Sequence, residues 1–443
     1  MPRSISRGAV FLIVVALAAV GVGCESHSFY EFIPAPRLVT DGLEPDPFDR
    51  VPTALQTPAA EVVYITDRKP GEISERGQEY GYERSFSSAF GTMLVHFGPK
   101  DMDWNTLVAE SRSPKRSKQM VVTTSGISEL GRYPDTPEGI DWSDPEDPKP
   151  SPQDAAARAA ADEKFRQLMA ERLARSPDKR VFLFVHGYHC EFEWPAYVIA
   201  QLWHYMGRPG VPVAYSWPAA RPGALRGYQY DRESGEFTVH HLKQFLKLLA
   251  SCPDVTEVQI LSHSRGTDVL TSALRELRYE YGGPVEAGRK LKLGTVVLAA
   301  ADIDASVATQ RLSAAGLLMM PQRLLTVYVS REDEALGMST WMFDSERRLG
   351  KLRPEDLKSR AVEVLRRYPK FEIVDSRVKT PKMFSHSYFF AHASGSSDLI
   401  LLMRDNRPAG AANGRPLERD PSGFWIMNEG YPPKTPATQP VGG

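Results

Sequence analysis

Between residues 181 and 374, short and continuously apolar segments alternate with stretches of helical character. Strands that are buried on both faces have such unbroken apolar runs, whereas a sheet with one solvated face shows alternation. The pattern therefore predicts an α/β fold, with a mostly parallel sheet covered by helices on both sides. The predicted strands are 181–185, 211–216, 255–261, 293–298, 324–329 and 371–374, and the predicted helices are 194–205, 239–249, 267–277 and a short one near 305.

Two more strands, 62–65 and 89–97, and an alanine-rich helix over 154–174 precede this alternation. A hairpin alone is at best marginally stable, so the two strands are expected to extend the main sheet at its N-terminal side. With 42% hydrophobic residues in 443, the chain can bury a large core. We place the folded domain at residues 61–405.

Segments around this domain differ in composition. Residues 25–60 are rich in proline and polar residues, which predicts a flexible linker, and residues 406–443 predict a disordered tail. Within the domain, residues 133–153 are dense in proline, aspartate and glutamate. This stretch predicts a mobile acidic surface loop.

The first 24 residues predict export from a bacterial cell. After two arginines, residues 8–23 carry no charge, but these 16 residues fall short of the roughly 20 that a membrane-spanning helix needs. The segment ends in Gly21-Val-Gly-Cys24, which is similar to a bacterial lipoprotein box with Cys24 as the acylated residue, although Gly21 stands where Leu, Val or Ile is usual. We expect a membrane-anchored lipoprotein of the cell envelope. The alternative is a signal anchor or an ordinary signal peptide, in which Cys24 has no role.

Charge and cysteine content exclude several classes of partner and cofactor. The 54 Lys and Arg residues balance 55 Asp and Glu residues, so the basic excess typical of nucleic-acid binding is absent from the composition. Three cysteines are too few for a fold built on disulfides, and Cys190 and Cys252 lack the paired spacing of zinc ligands. No phosphate-binding glycine-rich loop is apparent. We therefore expect no nucleic-acid partner, no metal and no cofactor.

A serine motif follows the predicted strand 255–261, and a helix begins directly after it. Reactive groups of open parallel sheets lie beyond the carboxyl ends of the strands. The sequence Ser-His-Ser264-Arg-Gly resembles the nucleophile elbow G-x-S-x-G, whose outer positions are small because the turn is tight. Ser262 replaces the first glycine. Ser264 is the candidate nucleophile, although an isolated pattern of this kind is more typical of an ordinary helix N-cap.

A second motif, His186-Gly187-Tyr188, follows the strand 181–185. Gly187 allows a turn that would point the Tyr188 amide at a developing oxyanion, together with the Arg265 amide at the start of a helix. Tyr188 and Arg265 are therefore the predicted oxyanion hole. The alternative is a plain glycine turn after a strand.

A reactive serine needs a base and an acid, and in folds with this elbow they follow it in the order acid, then histidine. Only two of the ten histidines, His386 and His392, come after the serine. His386 follows the last strand and is the predicted base, whereas His392 is expected to pack or cap. Asp333 follows the strand 324–329 and is the predicted acid. Asp302 and Asp304, after the preceding strand, remain its rivals.

Taken together, these segments resemble a bacterial α/β-hydrolase family that is often described as esterase-like or lipase-like, the domain of unknown function 900. The resemblance covers roughly residues 61–403, and it rests on 64–68, 80–84, 181–187, 213–218, 261–266, 299–304, 327–336 and 386–389.

The resemblance implies an α/β-hydrolase fold with Ser264 as nucleophile, Asp333 as acid and His386 as base. Family members commonly have Ala-His-Ser-Met-Gly at the elbow, so Ser262 and Arg265 depart from the pattern. Arg265 either favours a negatively charged substrate or points to solvent. Asp231 also resembles a recurrent family residue, to which we assign no chemical role at this point.

The expected function is that of a serine hydrolase, carboxylesterase-like or lipase-like, that cleaves a small ester or lipid-like substrate through an acyl-enzyme. Residues 219–236 and 334–369 are expected to shape its pocket as a lid. Two alternatives remain open. One is amide or thioester hydrolysis by the same triad, and the other is a non-catalytic envelope lipoprotein that keeps the scaffold as a binding module.

Overall fold

The computed structural model describes residues 30–337, 347–357, 359–381 and 385–434, and within them it omits the side chains of residues 224, 225 and 359–361. The strands are β1 (Tyr30–Glu31), β2 (Ala59–Ser74), β3 (Gly77–Phe97), β4 (Val121–Arg132), β5 (Ile140–Asp141), β6 (Lys149–Pro150), β7 (Arg180–Val185), β8 (Val211–Ser216), β9 (Glu257–His263), β10 (Leu293–Ala299), β11 (Leu325–Val329), β12 (Phe371–Ser376), β13 (Glu418–Arg419) and β14 (Trp425–Met427). The α-helices are α1 (Arg37–Thr40), α2 (Trp104–Arg112), α3 (Pro152–Ala174), α4 (Trp194–Tyr205), α5 (Ala224–Ser251), α6 (Gly266–Glu280), α7 (Pro284–Lys290), α8 (Ala305–Thr309), α9 (Ser359–Arg367), α10 (Tyr388–Ala391) and α11 (Ala393–Asp405).

A 12-stranded sheet with the order β1-β4-β3-β2-β8-β7-β9-β10-β11-β12-β14-β13 forms the centre of the molecule. The strands from β2 to β14 in this order pair in parallel, and antiparallel strands lie at both ends. The predicted mostly parallel α/β sheet is confirmed. The N-terminal strands also extend it as expected, because β2 pairs with β8.

Apolar side chains pack on both faces of the sheet, which explains the unbroken apolar runs. In β7, Phe182 and Phe184 point into a core that contains α4 and α11, whereas Val181, Leu183 and Val185 point into a second core with α3, α5 and α6. Successive strand side chains point to opposite faces, so every position of β7 from Val181 to Val185 is apolar. Each such buried side chain contributes about 1.5–3 kcal/mol to the free energy of unfolding.

The order of the central strands makes a topological switch point at their carboxyl ends. β7 lies between β8 and β9, so the chain leaves β7 toward one side of the sheet and leaves β9 toward the other. The loops after these two strands therefore diverge, and such a switch point is where open α/β sheets place their ligands. The two loops carry Tyr188 and Ser264.

The predicted linker is wrong for residues 30–60, which pack against the domain. The Ile33 amide donates to the Gln201 side chain at 2.7 Å, and Arg116 donates to the carbonyls of Phe32 and Ile33. The apolar residues of this segment have no helical or strand period, because they lie in helical turns of three or four residues and in the chain before and between these turns, so composition alone suggested a tether. The buried residues include Phe32, Ile33, Ala35, Leu38, Phe48 and Val51.

The predicted disordered tail is also wrong for residues 406–434. β13 and β14 add to the sheet beside β12. Arg415 is fully buried, and its guanidinium contacts Asp398 at 2.8 Å and Glu372 at 2.6 Å. A buried ion pair of this kind is not detectable in composition, where an arginine and two carboxylates indicate a solvated surface.

Two further predictions have different outcomes. Residues 133–153 are largely exposed, and β5 pairs with β6 within them; their mobility stays a prediction. The signal segment and Cys24 lie outside the described residues. Across the described ranges from 30 to 434, no helix has both the length and the apolar character that crossing a bilayer requires.

Candidate active site

Ser264 lies in a sharp turn between β9 and α6. Its φ is 53°, a left-handed conformation that costs a non-glycine residue roughly 1–2 kcal/mol. The surrounding backbone holds this conformation, since the Ser264 amide donates to the Ala299 carbonyl at 3.0 Å and its carbonyl accepts from the amides of Thr267 at 3.1 Å and Asp302 at 3.2 Å. The geometry is that of a nucleophile elbow.

Small residues on either side of the serine make this turn possible. A Cβ atom added to Gly266 would lie 2.2 Å from the His186 carbonyl oxygen and 2.7 Å from that of Val185. Ser262 is fully buried, and its hydroxyl donates to the Val297 carbonyl of β10 at 3.1 Å. The hydroxyl that departs from the glycine pattern therefore has a hydrogen-bond partner and does not obstruct the turn.

Replacing Gly266 by alanine is expected to destabilise the fold by about 3 kcal/mol or more, because the new methyl group would collide with backbone atoms that cannot rotate away. Chemical denaturation of the two proteins measures the loss. Gly81→Ala is the matched control, since no atom lies within 4 Å of the Cβ it would add. Equal losses in both variants would contradict this account of the turn.

His386 and Asp333 form a buried pair at the same edge of the sheet. The His386 Nδ1 atom lies 2.8 Å from Asp333 Oδ2, and the Leu336 amide donates to Oδ1 of the same carboxylate at 3.0 Å. Asp333 is fully buried. A carboxylate only accepts hydrogen bonds, so Nδ1 carries the proton and Nε2 is left as the basic atom of the ring.

Electrostatics favour this histidine as a base. Burial alone would lower the pKa of His386, but the Asp333 carboxylate outweighs burial, with a smaller contribution from Asp302, and the net pKa is raised. A base whose protonated form is stabilised by a fixed carboxylate accepts a proton from a hydroxyl more readily.

The rival acids have other partners. Asp302 contacts the Arg348 side chain at 3.2 Å and accepts from the Tyr228 hydroxyl at 3.4 Å. Asp304 caps the short helix α8. Of the three carboxylates that the sequence left open, Asp333 is the one that the structure joins to His386.

His263, the residue before Ser264, contacts the candidate base. His263 Nε2 donates to the His386 carbonyl at 3.1 Å, and the two imidazole rings are 4.7 Å apart. Within the described residues, no hydrogen bond joins the Ser264 hydroxyl to the His386 ring. Such bonds are often long in enzymes without substrate and shorten when substrate binds. The expected structural role of His392 agrees with its position, since it caps α11.

The predicted oxyanion residues belong to segments that touch each other. A Cβ atom on Gly187 would lie 2.6 Å from the Ser264 Cβ, so the loop that leads to Tyr188 passes directly against the nucleophile. Arg265 occupies the N-cap of α6, where helix amides point outward. No distance to an oxyanion tests these two residues, and their role stays a prediction.

The Arg265 side chain does not point to solvent. It is buried and forms an ion pair with Asp268 at 2.8 Å, and Asp268 also contacts Arg311 at 2.5 Å. The Arg265 charge is therefore paired within the protein, with a carboxylate that it shares with Arg311. In the part of the chain that the structure describes, no group of three or more His, Cys, Asp or Glu side chains is arranged to hold a metal ion.

The similarity of this chain to proteins of known structure is weak. No curated protein matches the chain. Among solved structures, the chain is similar to a lipase-esterase related protein from Clostridium acetobutylicum, with 9% identity over 51% of this chain and 95% of the other and a TM-score of 0.26. It is also similar to a thermostable esterase from Pseudomonas putida, with 15% identity, 50% and 61% coverage and a TM-score of 0.22. Neither similarity is strong enough to support a functional statement.

The family model is more informative. The model described as an alpha/beta hydrolase of unknown function matches residues 161–402, more than half of the chain. This range begins in α3, ends in α11 and includes Ser264, Asp333 and His386. The chain therefore belongs to DUF900, a family of α/β hydrolases whose function is unknown.

Proposed function

We propose that this hydrolase is a serine hydrolase that cleaves carboxylic esters through an acyl-enzyme. The observation that supports the proposal best is the placement of a strained serine, Ser264, at the sheet edge that also carries the buried His386–Asp333 pair. The three side chains come from three separate strand ends. A binding module has no need of a hydroxyl, a base and a buried carboxylate at one edge.

In the proposed reaction, the Ser264 hydroxyl attacks the ester carbonyl carbon while His386 Nε2 takes its proton. The amides of Tyr188 and Arg265 stabilise the oxyanion of the tetrahedral intermediate. When the intermediate collapses, the carbon–oxygen bond to the alcohol breaks and His386 returns the proton to that oxygen. Water, activated by the same imidazole, then releases the acid from Ser264.

Asp333 supports each proton transfer without leaving its place. It fixes the imidazole with Nδ1 protonated, and its charge stabilises the imidazolium that forms in both half-reactions. The Leu336 amide holds the second carboxylate oxygen, so the acid cannot rotate away from His386. The strain at Ser264 keeps its side chain at the turn between strand and helix.

A panel of p-nitrophenyl esters with acyl chains of increasing length, together with matched amides and thioesters, tests the proposal on the purified full-length chain. We expect turnover of esters above that of the amides. Thioester or amide turnover that exceeds ester turnover would move the substrate class to the alternative hydrolysis. No turnover of any substrate would favour a binding module. A binding module would not need the hydrogen bond between the Ser264 hydroxyl and the His386 ring, which is not formed among the described residues.

We also propose that the chain is exported and anchored to the membrane by a lipid on Cys24. The support is the uncharged segment 8–23 and the box that ends at Cys24. Expression in a bacterial host followed by fractionation should recover the protein with membranes, and the mass of its N-terminal peptide should show an acylated cysteine. Cys24→Ser should release it from the membrane fraction. A variant that fractionates like the wild type would contradict lipid anchoring at this residue.

A further inference from the structure

Asp231 connects two strained loops beside the candidate nucleophile. The carboxylate lies on α5 and is buried, with 1% of its surface exposed. Its Oδ2 atom accepts from the His189 amide at 2.9 Å and from the Ala220 amide at 3.1 Å. Both donors are non-glycine residues in the left-handed region, with φ of 54° and 74°. Each of these loops is therefore held in a conformation that it would not adopt freely.

The loop at His189 is the one that carries the predicted oxyanion amide. Tyr188 precedes it directly, and Gly187 packs on Ser264. The ring of Tyr188 also lies 5.1 Å from the ring of Tyr228 on α5. A shift of this loop would move the Tyr188 amide relative to the nucleophile.

Arg68 holds the same two loops through their carbonyl groups. Its guanidinium is buried and donates to the Cys190 carbonyl at 2.7 Å and to the Ala219 carbonyl at 3.0 Å. One loop thus has its amide bound by Asp231 and a nearby carbonyl bound by Arg68, and the second loop is held in the same way. We call residues 187–190 the oxyanion loop, and Arg68 and Asp231 together the clamp that holds it.

We propose that Asp231 is a positioning residue for the proposed ester hydrolysis, which fixes the loop carrying the Tyr188 amide against Ser264. This inference depends on the proposed function, since an oxyanion donor matters only if an oxyanion forms. The substrate does not contact Asp231. Asp231 acts through the His189 amide on the preceding peptide group, which carries the Tyr188 amide.

The use of a carboxylate at this position needs an explanation. The second oxygen of Asp231, Oδ1, is buried and has no hydrogen-bond partner. A buried acceptor without a partner costs about 1–3 kcal/mol, and an ionised one costs more. A link that only joined two loops would be made at lower cost by a neutral side chain. A charged acceptor forms stronger bonds to amides, which is useful where a small displacement changes the rate of reaction.

The ionisation of Asp231 adds a dependence on pH. Burial raises its pKa to about 6, against the opposing effects of the His189 and Ala220 amides and of Arg68. The charged or titratable side chains that interact with it are Arg68 on β2, which also interacts with Asp67, and Tyr188 on the oxyanion loop; His189 and Arg221 contribute their backbone amides. Above pH 6 the carboxylate is ionised and the clamp is tight. Below it the acid is neutral, its bonds to the amides weaken, and turnover should fall.

His386 responds to pH in the same direction, because only its unprotonated form can act as a base. On the acid limb of the pH–rate profile, the turnover of the wild type should therefore fall with the uptake of two protons, one by His386 and one by Asp231. In Asp231→Asn, which is neutral at every pH, one of these protonations is removed. The limb should become shallower and follow His386 alone. A residue with a purely structural role would leave the slope unchanged.

The test compares Asp231→Asn, Asp231→Ala and the control Glu233→Gln, which changes an exposed carboxylate on the same helix. We expect kcat to fall about tenfold in the asparagine variant and further in the alanine variant, with KM within about twofold, because the oxyanion forms only in the transition state. Glu233→Gln should match the wild type. Thermal unfolding identifies an alanine variant that fails to fold, and the asparagine variant then decides.

The outcomes separate this inference from the proposed function. If the wild type hydrolyses esters and Ser264→Ala does not, the proposed function stands. A wild-type kcat and an unchanged acid limb in a folded Asp231→Asn protein would then overturn the role of Asp231 alone. If the wild type shows no turnover that depends on Ser264, both proposals fail together.

Discussion

Ser264→Ala is expected to lower kcat for ester hydrolysis by about 10⁴- to 10⁶-fold. The alanine cannot form an acyl-enzyme, so only the residual effect of binding and of the oxyanion amides remains. The variant should fold normally, because the methyl group occupies part of the space of the original side chain and the backbone hydrogen bonds of the turn remain. Initial rates on a p-nitrophenyl ester and thermal unfolding measure the two properties.

Ser128→Ala is the matched control for this substitution. Ser128 lies on β4, is exposed and is remote from the elbow, so its rate should equal that of the wild type. A folded Ser264→Ala protein that keeps more than a few per cent of the wild-type rate would mean that another group performs the attack.

The second large effect is expected from Asp333→Asn, which should lower kcat by about 10⁴-fold. The asparagine can still accept from the Leu336 amide through its oxygen, but its NH₂ group would then face His386 Nδ1. That contact favours the tautomer with the proton on Nε2, which cannot take a proton from the Ser264 hydroxyl. The fold should change little, because the two side chains have nearly the same shape.

Glu332→Gln serves as the control for Asp333, since it changes an exposed carboxyl one residue away. Its rate should stay at the wild-type value. If Asp333→Asn keeps its activity and Asp302→Asn loses it, the acid of the proposed triad would be Asp302, the rival that the sequence left open.

The parallel core was predictable because its strands are buried on both faces. Within β7 and β8, burial on both sides demands apolar residues from 181 to 185 and from 211 to 215, and such runs are visible in the sequence. The strand boundaries agree with the prediction to within two residues for 211–216 and 255–261. These strands could be located accurately because burial alone determines which residues occupy them.

The ends of the chain were not predictable for a related reason. Arg415 and Asp398 are charged residues that the structure buries completely, and their pairing joins segments that are separate in sequence. Residues 30–60 use irregular turns, where an apolar residue follows no period. Composition describes such segments as solvated, because it has no information on which partner neutralises a charge.

For the candidate site, the sequence indicated individual residues but not the contacts that hold them in place. Ser264 and His386 were indicated by a motif and by chain order, and the structure brings them to one edge. The contact between Asp333 and His386 could be identified only in the structure, because Asp302 and Asp304 satisfied the same chain order of nucleophile, acid and histidine. The family resemblance included Arg68 and Asp231 but gave them no role, because their partners are backbone groups, and the sequence shows no side chain to match.

Labelling with a fluorophosphonate tests the central proposal most directly, because this reagent reacts with an activated serine in its folded setting. The full-length protein is incubated with the probe, digested and mapped by mass spectrometry. The account predicts a single adduct on Ser264 that is lost on prior heat unfolding and in Ser264→Ala. A folded protein that hydrolyses esters while Ser264 remains unmodified would contradict it.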